Sequence, residues 1–110
     1  MTTIKVFTAA NQITGIEASG HADYAKKGEE DIVCSAVSSI VQTAMLGLLQ
    51  VAGIKLDYKR DDGKGFLSFN LPKKITDNQK HDAEVILNTM LCGIQDLHEG
   101  FSDFIELEVL

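Results

Sequence analysis

Apolar and polar residues alternate from residue 2 to residue 10. Ile4, Val6 and Thr8 fall on one side and Thr3, Lys5 and Phe7 on the other, which predicts a half-buried strand. Asn11-Gln12 offers turn chemistry, and the extended pattern resumes over 13–19 with Ile16 and Ala18, so the segment reads as a β-hairpin. Residues 20–30, GHADYAKKGEE, are polar and aperiodic and read as a loop. The period then changes. Val33, Val37, Ile40, Val41, Ala44, Leu48 and Val51 recur at helical spacing behind Asp31, which predicts a buried helix over 32–52 ended by Gly53. Ile54, Leu56 and Tyr58 alternate with charged residues, DDGKG at 61–65 supplies a turn, and 66–71 is extended again: a second hairpin. Past Pro72, Asp77 is placed to cap a second, amphipathic helix. Its apolar positions Ala83, Ile86, Leu87, Met90, Ile94 and Leu97 face one way before Gly100. Alternation over 101–109 predicts a last strand.

The order ββαββαβ, with no internal repeat, predicts the α+β class. Hairpins pair their strands antiparallel, so the sheet is expected to be mostly antiparallel, with both helices packed on one face and the other face polar or covered by a partner subunit. A chain of 110 residues has the length of one domain, and 1–110 is read as one. Hydrophobic residues at 45% and charged residues at 24% are globular proportions and exclude a disordered chain. Ser, Thr, Gln and Gly interrupt the apolar residues of 33–54, so no membrane span is expected. The opening MTTIKVFTAANQ has neither the basic start nor the apolar core of a signal peptide, which predicts a cytoplasmic protein. Sixteen acidic residues against ten basic ones give a formal charge of −6, which repels phosphate backbones and suits a basic partner; no direct nucleic-acid binding is expected.

Reactive residue types concentrate in one place: Gly20-His21-Ala22, a loop, then Asp31-Ile32-Val33-Cys34-Ser35-Ala36-Val37-Ser38. With Asp31 as N-cap, Cys34 is the third helical residue, where unpaired amides and the positive end of the helix dipole favour an anion and hence a nucleophilic thiolate. His21 can fold back as its base, because the intervening loop is long and contains glycine. Amides of the same helix end could hold an oxyanion. Each residue also has a plain reading: Cys34 as a small buried hydrophobe, His21 as a solvated loop residue, Asp31 as a cap and Ser38 as a small residue at a helix contact. A zinc site lacks ligands, and a thiol redox sensor lacks a nearby resolving cysteine. Neither a metal nor an organic cofactor is expected. Cys92, among Met90, Leu91 and Ile94, reads as structural, and His81 and His98 as surface residues without partners. Gly63 and Gly65 lack the Lys-Ser or Lys-Thr step of a phosphate loop and read as a turn.

The two motifs, Gly20-His21-Ala22 and Asp31-Ile32-Val33-Cys34-Ser35-Ala36-Val37-Ser38-Ser39, on a chain of this size and element order, resemble the ribosomal-processing cysteine protease family, Prp. The resemblance implies a small, cytoplasmic, homodimeric α+β protease. Its substrate would be a large-subunit ribosomal protein, from which it would remove a short N-terminal extension by cutting after an aromatic pair. It also implies that His21 is the general base and Cys34 the nucleophile, with Gly20, Asp31 and Ser38 as supporting positions. A reading from a different class is a ribosome-assembly protein that binds the same basic client without cutting it.

Overall fold

The structure is a computed structural model that describes residues 1–20 and 31–110. The chain forms β1 (Thr2–Ala9), β2 (Gln12–Ser19), α1 (Ile32–Leu46) with a π-helical continuation (Gly47–Val51), β3 (Asp57–Asp61), β4 (Phe66–Asn70), α2 (Asp77–Gly100) and β5 (Ile105–Val109). This is the α+β fold and the ββαββαβ order that the pattern predicts. The sheet order is β3-β4-β2-β1-β5, antiparallel except where β5 runs parallel to β1 with Thr2 opposite Ile105.

Both helices are crossovers. The pairings make β3 parallel in direction to β2, and β5 parallel to β4, and parallel strands need a long connection between them. The first crossover moves toward one edge of the sheet and the second, starting from a strand of opposite direction, toward the other. Right-handed connections then put both helices on the same face. That face carries Ile4, Val6, Ile16, Leu67 and Phe69, which meet Val33, Val37 and Val41 of α1, Leu48 of its π-helical continuation, and Ala83, Leu87, Met90 and Ile94 of α2 in one core. The opposite face is largely polar, with Lys5 in register between Glu17 and Glu108.

The structure shifts several expected positions, each for a local reason. The first turn is Ala10-Asn11, both at positive φ (52° and 63°), the geometry that suits a two-residue hairpin, and not Asn11-Gln12. The register slips between Phe7 and Thr8, leaving Thr14 as a bulge. Ile13 and Ile16 are an odd number of positions apart yet both are buried, because the bulge resets the alternation. Val51 is 83% exposed although Leu48 is fully buried. The Ala52 amide reaches back five residues to the Gly47 carbonyl, and that wider turn breaks the helical phase. Gly53, at φ +66°, ends the helix as expected.

Ile54 and Leu56 are buried, but they precede β3, an edge strand whose residues are all exposed. Thr76, not Asp77, caps α2. Its hydroxyl accepts from the Gln79 amide (3.1 Å) while the Gln79 side chain accepts from the Thr76 amide (3.0 Å), a reciprocal pair that satisfies two backbone donors, including the cap's own. Gly100 still belongs to α2, and residues 101–104 form a turn before β5. The stretch Ile32–Val51 is, contrary to expectation, long and apolar enough to cross a membrane by length and composition, because a few small polar residues barely lower a window average. Here its apolar stripe is spent on the sheet and on α2.

Candidate active site

Asp31 adopts an extended conformation (φ −86°, ψ 101°) that lets its side chain turn back over the first turn of α1. Oδ1 accepts from the Val33 amide at 3.0 Å and from the Cys34 amide at 3.1 Å, and the Ser35 amide donates to the Asp31 carbonyl at 3.1 Å. Asp31 is therefore the predicted cap, and Cys34 the third helical residue. One consequence differs from expectation. The Val33 and Cys34 amides, offered by sequence reasoning to an oxyanion, already donate to the Asp31 carboxylate, which also answers the positive end of the helix.

Cys34 is half-buried and opens onto a cleft of about 410 Å³. Ala18, Val37, Val41 and Leu67 supply an apolar floor. Cys34, Ser38 and Gln42 are spaced four apart, so they line the cleft along a single face of α1. The far wall comes from the β3–β4 hairpin. Arg60 lies opposite buried Leu67 in the strand register, so its side chain projects to the helix side of the sheet. There it donates to Gln42 Oε1 (3.3 Å) and to the Asp62 carboxylate (2.7 Å from Nε), while Gln42 Nε2 donates to Ser38 Oγ. Asp62's hydrogen bond, and then its charge, make the Arg60 guanidinium hold its proton more firmly than usual. A polar chain thus runs from the cleft mouth to the helical turn next to Cys34.

The sulfur itself has a partner that sequence reasoning missed. Thr2 Oγ1 lies 3.7 Å from Cys34 Sγ, and Thr2 is the one buried polar residue among those described. A signal existed: Thr2 occupies the inward position of the Thr2, Ile4, Val6 series. Gln42 could also have been found, two turns beyond Cys34. Arg60 and Asp62 could not, since only the pairing of β3 with β4 brings them to α1. Gly20 lines the same cleft at φ +84°, and a Cβ there would come 2.8 Å from the Met1 carbonyl oxygen, so the position requires glycine. His21 and the loop that follows, expected to supply the base, lie outside the described residues.

Elsewhere, Cys92 is exposed, not packed as expected, because two residues along a helix point almost oppositely and Met90 and Ile94 take the inner face. His81 lies 3.5 Å from Asp82, so it has a neighbour after all, and His98 is half-buried. No group of three or more residues able to hold a metal occurs among the described residues.

A thiol placed at a capped helix terminus, beside a cleft of about 410 Å³, fits the class of cysteine proteases. The family model for cysteine protease Prp matches residues 1–106, and the chain belongs to this family of ribosomal processing cysteine proteases. The ribosomal processing cysteine protease Prp of Staphylococcus aureus (strain Mu50 / ATCC 700699) is 27% identical over 96 residues, spanning 87% of this chain and 86% of its own. The crystal structure of the essential ribosomal processing protease Prp from S. aureus with a covalently linked product peptide is similar at a TM-score of 0.86 and 25% identity, with all of both chains covered. SMU.848 from Streptococcus mutans shares the fold at a TM-score of 0.83 and 23% identity, covering 100% of this chain and 94% of its own.

Proposed function

We propose that this protein is a cytoplasmic endopeptidase that removes the N-terminal extension of a large-subunit ribosomal protein, cutting after an aromatic pair. His21 is the general base and Cys34 the nucleophile. The observation that carries the reading is the position of Cys34: held by the Asp31 cap at the start of α1 and opening onto an apolar-floored cleft of about 410 Å³. Family membership supports it, as does the relative from S. aureus with a product peptide covalently attached.

The extended substrate lies along α1 with its aromatic side chains on the floor made by Val37, Val41 and Leu67. His21 takes the proton of Cys34, and the sulfur attacks the scissile carbonyl carbon. The tetrahedral intermediate collapses as the C–N bond breaks and His21 returns the proton to the departing amine. Water, deprotonated by His21, then hydrolyses the thioester and releases the acid. The Val33 and Cys34 amides are occupied by Asp31, so charge on the oxyanion is assigned to other donors. Ser38, which lines the cleft one turn beyond Cys34 and whose oxygen accepts from Gln42, is assigned as one of them. A homodimer belongs to the same reading, and the exposed Leu46 and Val51 are apolar side chains that a partner subunit could cover.

The test is cleavage of a synthetic peptide spanning the extension and its aromatic pair. The intact protein is expected to cut after the pair, and Cys34→Ala to abolish cutting while still binding the peptide. Binding without any cleavage by the intact protein would transfer the reading to the assembly protein that holds the same client.

A further inference from the structure

We infer that Thr2 is a positioning residue of this site, holding the Cys34 sulfur through its hydroxyl; the inference rests on Cys34 being the nucleophile. The two side chains are 32 residues apart in sequence and meet at 3.7 Å. Thr2 is 3% exposed, while Ile4 and Val6, the next inward positions of the same strand, are apolar and fully buried. A hydroxyl kept at such a depth is costly unless something accepts or donates to it.

Its placement is firm. The Thr2 amide donates to the Phe104 carbonyl (3.0 Å), and the residue is paired with Ile105 of β5, so the strand end is clamped and not frayed. Branching at Cβ restricts the rotamer that aims the hydroxyl. Once the sulfur has given up its proton it can only accept, so the hydroxyl is then the donor and the bond holds the nucleophile in a fixed direction. The preceding residue strengthens the assignment, because the Met1 carbonyl backs Gly20 at the point where the chain departs toward His21. One dipeptide at the start of β1 thus abuts both the nucleophile and the root of the segment that carries the base.

The experiment uses the full chain with Cys92→Ala, which removes the exposed second thiol, and measures alkylation of Cys34 by iodoacetamide at neutral pH alongside peptide cleavage. Thr2→Val, similar in shape but without the hydroxyl, is expected to slow alkylation about five-fold and to lower kcat by a similar factor with KM unchanged. Thr2→Ser is expected to restore most of both. Thermal melting checks folding, and Thr2→Ala reads the same quantity should the valine variant not fold. Wild-type alkylation and kcat in the folded valine or alanine variant would overturn the inference, and so would a serine variant as slow as the valine one. If no variant cleaves peptide, including the parent, while the alkylation series behaves as expected, the protease reading fails and the Thr2 contact stands.

Discussion

Asp31 does two jobs with one oxygen. It satisfies two amides that would otherwise be unpaired at the opening of α1, and in doing so it fixes the turn that presents Cys34. Replacing it by alanine is expected to cost about 1 kcal/mol of stability, the usual loss of an N-cap, visible as a melting temperature lower by roughly 4 °C for a domain of this size. Asp31→Asn keeps an acceptor oxygen at the cap and should lose clearly less. A melt series in which alanine and asparagine behave alike would show that the carboxylate's charge, and not its hydrogen bonds, is what the helix start requires.

The elements are held by how phase is kept or broken along them. α1 keeps a helical period from Val33 to Met45, and within the wider π turn that follows Leu48 stays buried while Val51 leaves the core. Leu48→Ala should therefore cost about 2–5 kcal/mol, since it opens a cavity at a fully buried position. Val51→Ala should cost nearly nothing, although both residues sit on one stripe of an ideal helix. Denaturant titration of the two variants separates these outcomes, and equal losses would mean that the π turn does not exist in solution. The same reasoning explains what sequence pattern reads well at this scale. Alternation in β1 and the helical stripe of α2 were legible because both repeat within one element. The bulge at Thr14, the π turn and the reciprocal cap of Thr76 with Gln79 were missed, because each is a local exception that a periodic template smooths over.

For the molecule as a whole, the balance of charge decides which partners approach. A formal charge of −6 attracts a basic ribosomal protein at long range, so kcat/KM for such a substrate is expected to fall several-fold as salt rises from about 0.05 M to about 0.5 M, with kcat little changed. A peptide of zero net charge carrying the same cleavage site should show no such slope; equal salt dependence for both would exclude electrostatic capture. Relations within a few residues of each other were settled by the amino-acid sequence alone: the ββαββαβ order, the apolar positions of each element, and Cys34 as the third residue behind an Asp31 cap. Hydrogen bonds to the next turn and alternation about a single axis need no knowledge of distant segments. The parallel seat of β5, the contact of Thr2 with Cys34 and the chain from Arg60 through Gln42 to Ser38 were decided by tertiary structure. They depend on strand register and on which helix face meets the sheet, and those are chosen by burying every apolar stripe at once, not by any one of them.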